Sequence, residues 1–489
     1  MANPPPKIRW AIFSAIALLA LAVRLPQLGE RPMHTDEAVN AYITGELLSG
    51  ESFHYDPKDR HGPALFILAE PIAKLLGAKK FSELTETELR ITPVIVGSTT
   101  ILLLGAGVEV FGFIACLVAA LLFSFAPLPV YYSRYFIHET LFVAATLGLI
   151  LSGWQALQKN SVWCAALAGF CAALMLACKE TAVIHFFALA VAIATCRISR
   201  SRKIAAPIEL QVKMLLAAAF VFTCATILLL TWFGQNWPVL TDLFRAIPNF
   251  VARAGGQGHE KPFGYYLGLL GGGWSGGIIL GLAALGIFRA LHSMRHIVLV
   301  TYALLVAVIY SAVPYKTPWL ALNFFLPLAL LAGLAIEWIW LATRKVSTRV
   351  GILAGIGALG FLISHDTRQW VFQFPADEKN PYAYAHTGED LLRLPRRIEE
   401  LSRANNFSNP RIAVVAADPW PLPWYLRKFS QVGYWQPGDE TGAADFFITT
   451  ADVSGRLADE LKNFRPEYFG ARPNLLLVLW SPAPVEKSP

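Results

Sequence analysis

Long apolar stretches broken by short polar segments run through most of the chain and stop near residue 365. Several approach the roughly 20 apolar residues that a helix needs to cross a bilayer. The pattern predicts about eleven spanning helices, near 10–28, 91–110, 113–131, 137–156, 161–178, 181–197, 214–233, 274–291, 297–313, 320–341 and 350–365. Apolar segments at 38–50, 63–77 and 239–253 are shorter and polar-edged, so they read as helices lying in the membrane interface. From Asp366 the pattern becomes that of a soluble domain. Residues 388–406 and 454–463 read as helices, and 411–416, 445–449 and 474–480 as short strands, which suits a small α/β domain. The expected fold class is therefore membrane all-α with a C-terminal α/β domain. Residues 1–365 form the polytopic part, with a first loop at 29–90 and a lid-like loop at 234–273. Residues 366–489 form the soluble part.

Composition agrees. The 489 residues are 55% hydrophobic and 15% charged, against about 25% charged in soluble proteins. The net charge of +7 does not mark a nucleic-acid surface. Its sources sit in short loops on one side: Lys7 and Arg9; Lys159; Arg197, Arg200, Arg202, Lys203 and Lys213; Arg289 and Arg295; Arg344, Lys345 and Arg349. Glu209 is nearly alone among acids there. The positive-inside rule makes that side cytoplasmic, in a multi-pass cell-membrane protein. Lys7, Arg9 and the following apolar run resemble a signal peptide, but apolar character continues to Leu28, so an uncleaved first helix is expected. Cys116, Cys164, Cys171, Cys178, Cys196 and Cys224 all lie in or beside apolar runs, and the tail has none. They read as small packing residues, not a disulfide framework.

The opposite, extracytoplasmic side receives every unusual polar residue. Asp36 and Glu37 follow the first helix. Adjacent carboxylates repel, which can leave one poised as a base; Thr35 and Asp36 are equally good helix N-caps. Arg134, Lys179 and Lys316 each stand where a loop meets a helix, a position that suits an anionic lipid phosphate, snorkelling to water, or ion pairs such as Arg134–Glu139 and Lys179–Glu180. His34, His61, His138 and His259 share this side, but no tight spacing such as His-x-x-x-His occurs, so neither a metal nor another cofactor is indicated. Gly255-Gly256-Gln257-Gly258 is either a lid hinge or a plain connector. No Walker A motif, dinucleotide fingerprint or Gly-x-Ser-x-Gly is present.

An ordered set of motifs then resembles one superfamily. It comprises His34-Thr35-Asp36-Glu37-Ala38, Tyr55-Asp56-Pro57, His61-Gly62-Pro63, Ser133-Arg134-Tyr135, Lys179-Glu180-Thr181, His259-Glu260-Lys261-Pro262 and Tyr315-Lys316-Thr317-Pro318-Trp319. The tail adds Asn380-Pro381-Tyr382-Ala383-Tyr384-Ala385-His386-Thr387 and Pro421-Leu422-Pro423-Trp424-Tyr425-Leu426-Arg427. Together they resemble the GT-C membrane glycosyltransferases, which include protein O-mannosyltransferases and aminoarabinose transferases. They resemble most the mannosyltransferase-like family named for a flippase-activity-associated protein of archaeal glycosylation. Where many members carry His-Pro-Pro, this chain has His61-Gly62-Pro63. The resemblance implies a polyprenyl-phosphate sugar donor and an extracytoplasmic protein, lipid or glycan acceptor. It implies that Asp36 is the catalytic aspartate, with Glu37 tuning it or orienting the acceptor. The substrate-binding set expected on this basis is His61, Arg134, His138, Glu139, Lys179, Glu180, His259, Lys261 and Lys316. The alternative is a flippase or transporter of lipid-linked sugars, which needs the cations but no base.

Overall fold

The computed structural model describes residues 3–56, 61–199, 207–256, 258–291, 296–457 and 461–483. Pro57, Asp59, Arg60, Arg200, Arg202, Lys203, Gln257 and Arg295 lie outside the described residues, as do 458–460 of the last expected helix and the side chain of Arg197. The chain divides into two compact units. One comprises Met1–Pro26, Ser52–Ala69 and Arg90–Gln373; the other comprises Gln27–Glu51, Glu70–Leu89 and Phe374–Pro489. The second unit thus gathers two pieces of the first loop together with the tail.

The first unit is a helical bundle. Among the described residues, seven helices are long and apolar enough to cross a membrane: Pro6–Arg24, Glu86–Ala106, Glu139–Lys159, Ile208–Leu230, Gly273–Leu291, Pro318–Ala342 and Val346–Gln373. Shorter apolar helices at Phe113–Phe125, Val162–Cys178, Ala182–Thr195 and Ile297–Ala312 fall at the other expected positions. This is a multi-pass membrane protein. Pro318–Ala342 is the most buried of the seven, with 89% of its most apolar stretch buried, whereas in Ile208–Leu230 and Val346–Gln373 only 11% of that stretch is buried and the apolar sides face outward. Lipid offers no hydrophobic drive for helix association, so close packing at small residues has to supply it. A Cβ on Gly286 would lie 1.9 Å from the Leu331 carbonyl oxygen, and one on Gly169 would lie 2.2 Å from that of Ala218. Cys171 packs against Gly148; Cys116, Cys164, Cys171, Cys178 and Cys224 are free thiols, of which Cys116 and Cys178 are buried as packing residues and Cys224 is exposed, while the side chain of Cys196 lies outside the described residues.

Arg24 is fully buried at the end of the first helix. Its guanidinium donates to Ser133 Oγ at 2.6 Å, to the carbonyls of Ala20 and Ser124 at 3.1 Å, and to that of Phe123 at 2.7 Å. It therefore caps the last carbonyls of Phe113–Phe125, where the helix dipole favours a cation. Helix Val239–Ala254 is strongly amphipathic and exposes Phe244, Ile247 and Val251, at the spacing of one apolar face.

In the second unit, helix Thr35–Leu48 is largely buried, packed against Phe81. The tail folds around a five-stranded mixed sheet: β1 Arg411–Val415, β2 Gln431–Trp435, β3 Phe446–Thr450, β4 Phe464–Arg472 and β5 Leu475–Pro482. Their order is β2-β1-β3-β5-β4, with β1 parallel to both neighbours and β5 antiparallel to both of its own. The expected strands are β1, β3 and β5. The expected helix at 388–406 is a 3-10 turn, Glu389–Leu392, followed by Arg393–Ala404.

Gly169→Leu forces a side chain into the Ala218 backbone, an overpacking that costs about 1–3 kcal/mol or more. Its melting temperature in detergent should fall by several degrees, whereas Gly153→Ala, which meets nothing within 4 Å, should melt like the wild type.

Candidate active site

In the second unit, the start of Thr35–Leu48 sets the Asp36–Glu37 pair. The N-cap is His34, not Thr35 or Asp36. The His34 Nδ1 accepts the Asp36 amide at 3.0 Å, and Glu37 Oε2 reaches back to the His34 amide at 3.2 Å, closing a capping box. Glu37 is fully buried, and Arg31 Nη2 donates to both of its oxygens at 3.1 Å. The repulsion expected between neighbouring carboxylates is therefore offset by Arg31, and Glu37 is engaged within the fold. Asp36 stands in the first turn, half-buried. Among the described residues its carboxylate has no hydrogen-bond or ion-pair partner. The result is one engaged carboxylate beside one available carboxylate on a rigid helix end.

The first unit holds the remaining candidates in two groups. In one, Glu180 accepts from Tyr55 Oη at 2.9 Å and pairs with His61 Nδ1 at 3.1 Å. The His61 ring meets His138 edge-on at 5.5 Å, and His138 Nε2 donates to the Gly62 carbonyl at 2.9 Å. Lys179 donates to Glu139 in a buried ion pair. The pairings are thus Lys179–Glu139 and His61–Glu180. Arg134 is buried with its guanidinium 4.6 Å from the Phe372 ring centre. Glycine at 62 has a local cause, because a Cβ there would lie 2.2 Å from the Ala177 carbonyl oxygen.

In the other group, His259 to Lys261 pair antiparallel with Pro314 to Lys316. The Lys316 amide donates to the His259 carbonyl at 3.1 Å, and the Lys261 amide to that of Pro314 at 3.2 Å. The Lys316 ammonium donates to the carbonyls of Lys261 at 3.0 Å and Val313 at 2.5 Å. The His259 ring lies beside that of Tyr315, with ring centres 4.7 Å apart and planes tilted by 48°. Gly256 and Gly258, of the stretch that reads as a hinge or a plain connector, have φ of 124° and 87°, in the left-handed region that glycine tolerates.

Electrostatics follow from burial. Burial pushes the Glu180 carboxyl up, but the His61 imidazole and the hydrogen bonds from His61 and Tyr55 hold it below the usual range. Burial raises the Tyr55 phenol. Burial keeps His138 well below 6.5, helped by His61 and Lys179, and it also lowers His34 and His386. Among the described residues no group of three or more His, Cys, Asp or Glu could hold a metal ion. Tyr55, Arg31 and Arg24 were not among the site residues expected from sequence. Only Tyr55 carried a local signal, through its motif.

The bundle plus mixed-sheet tail matches ArnT from Cupriavidus metallidurans bound to undecaprenyl phosphate, with a TM-score of 0.66 at 14% identity over 96% of this chain and 97% of that one. The chain has the GT-C fold. The chain also matches the oligosaccharyltransferase AglB from Archaeoglobus fulgidus, in complex with an inhibitory peptide and a dolichol-phosphate, with a TM-score of 0.58 and 12% identity over 98% and 75% of the two chains. A third match is the arabinofuranosyltransferase AftD from Mycobacteria, with a TM-score of 0.51 and 14% identity over 99% of this chain and 40% of that one. Residues 61–228 match the family described as dolichyl-phosphate-mannose-protein mannosyltransferase. No curated protein matches the chain.

A histidine held below its ordinary pKa contributes stability that is complete above pH 6.5 and is lost as pH falls through that value toward the folded pKa. The melting temperature of this protein should therefore drop on acidification below pH 6.5. His138→Gln, which keeps a donor for the Gly62 carbonyl, should make that drop shallower.

Proposed function

We propose that this chain is an integral membrane glycosyltransferase that moves a sugar from a polyprenyl-phosphate donor to a hydroxyl of an extracytoplasmic protein, lipid or glycan. The observation that carries this reading is the Asp36 carboxylate, available on a capped helix end while its neighbour Glu37 is held by Arg31. The match of residues 61–228 to a lipid-phosphate mannosyltransferase family supports the donor class. So do the lipid phosphates bound by ArnT and AglB, both of which share the fold.

In the proposed step, Asp36 takes the proton of the acceptor hydroxyl. The acceptor oxygen attacks the anomeric carbon as the bond from that carbon to the phosphate oxygen breaks, and the configuration inverts. The leaving group is the polyprenyl phosphate, whose oxygen takes the bonding pair. General-base help of this kind is worth about 10²–10⁴-fold. A leaving phosphate is stabilised by cationic donors, an electrostatic contribution that is often the largest, and Arg134 and Lys316 are the first unit's candidates for it. Lys316 has three ammonium donors, of which the Lys261 and Val313 carbonyls take two. Lys179 is paired with Glu139 and so is engaged within the fold.

The test is release of polyprenyl phosphate from labelled polyprenyl-phosphate sugars in lipid nanodiscs, with cell extract as acceptor source. Asp36→Asn should lower release at least about 10²-fold with donor binding and melting temperature unchanged. Undiminished release by Asp36→Asn would remove the base. Donor binding with transbilayer movement and no release by the wild type would instead support a lipid-linked sugar flippase.

A further inference from the structure

The tail motifs at 380–387 and 421–427 have no part in the transfer step as written. Within the second unit they converge on the two residues that precede the Asp36 helix. The Met33 amide donates to Tyr425 Oη at 2.9 Å, and Thr387 Oγ1 donates to the Met33 carbonyl at 2.7 Å. Both backbone groups of Met33 are therefore held by tail side chains. One residue on, His34 Nε2 lies 3.1 Å from the Tyr384 carbonyl. Because His34 Nδ1 accepts the Asp36 amide, the ring proton must sit on Nε2 and donate to Tyr384. The tail carbonyl thus selects the one neutral tautomer that can cap the helix.

Each of these contacts is itself anchored. Asn380 folds its segment into a turn, accepting the Tyr382 amide and donating to the Phe374 carbonyl, each at 2.9 Å. Ala385, between Tyr384 and His386, has φ of 46°, a conformation that L-residues adopt only when the surroundings impose it. The Gly388 amide ties the segment to the Ala471 carbonyl at 2.8 Å. On the other side, Trp424 is fully buried and donates to Glu86 Oε1 at 2.8 Å. Arg427 stacks 3.6 Å from the Trp424 ring centre and donates to the Leu84 carbonyl at 3.1 and 3.0 Å. A backbone strained at Ala385 and a tryptophan with its indole satisfied are more than a loosely appended acceptor-binding module needs.

We propose that Thr387 and Tyr425, with the Tyr384 carbonyl, are positioning residues that fix the Asp36 carboxylate for proton transfer. This inference rests on Asp36 acting as the base. It assigns the tail a part in the catalytic geometry.

The experiment compares wild type, Tyr425→Phe, Thr387→Val and Thr387→Ser as full chains in nanodiscs, by two readouts. The first is steady-state release of polyprenyl phosphate. Tyr425→Phe and Thr387→Val should lower kcat by about 10²-fold, the scale of a misplaced reacting group, with the donor KM unchanged, and Thr387→Ser should restore kcat. The second is hydrogen–deuterium exchange of the peptide covering residues 34–40, whose Asp36 and Ala38 amides bond to His34. It should exchange faster in Tyr425→Phe and Thr387→Val and at the wild-type rate in Thr387→Ser. Unchanged exchange in both variants overturns the clamp, and so does faster exchange with full kcat. If the wild type releases nothing, the transfer reading falls, and the exchange data alone decide whether the tail holds the Asp36 helix end.

Discussion

Charge taken out of water without compensation is the constraint on which this structure rests. An ionisable group at membrane depth costs several kcal/mol unless it is paired or hydrogen-bonded. Arg24 meets the requirement with four hydrogen bonds, two to the end of a neighbouring helix, one to Ser133 and one to Ala20 of its own helix. Lys179 and Glu139 meet it with each other, and Arg31 with Glu37. Removing one partner of such a pair leaves a buried charge and is far more damaging than removing both. The polar network is therefore as much a part of the fold as the apolar packing, and it decides which ionisable groups remain available for chemistry.

By that criterion the candidate residues separate. Glu37, Glu139 and Lys179 are engaged. His61 and Glu180 are engaged with one another, and Tyr55 adds a second donor to Glu180. Asp36 keeps its carboxylate available on a helix end whose cap is a histidine. A histidine cap works only as the correct neutral tautomer, which burial and the Tyr384 carbonyl together secure. The first loop and the tail belong to one compact unit for the same reason: the backbone around Met33 finds its hydrogen-bond partners in the tail.

What could be read in advance followed the strength of the local signal. The apolar helices stand at the predicted positions because hydropathy over some 20 residues is dictated by the solvent and needs no tertiary partner. In the sheet, β1, β3 and β5 were legible as apolar runs, and they are the three interior strands. The two that were missed, β2 and β4, are its edges. Edge strands are covered less and tolerate polar residues and proline, such as Pro466 in β4. Their pairing is decided by neighbours and not by their own composition.

The site shows the same division. By itself, the sequence determined the membrane character, the α/β tail and the set of polar residues that could matter, since each depends on residue type and local spacing. The tertiary structure alone decided that Lys179 pairs with Glu139 and not with Glu180, and that His34 and not Thr35 caps the helix. It also decided that Arg24 is a structural keystone and that Thr387 and Tyr425 hold Met33. Apart from the cap bond itself, which is local but is secured by the Tyr384 carbonyl 350 positions away, these are contacts between residues tens to hundreds of positions apart. Hydrogen bonds and ion pairs act over about 3 Å, and no local pattern encodes which distant partner arrives within that distance.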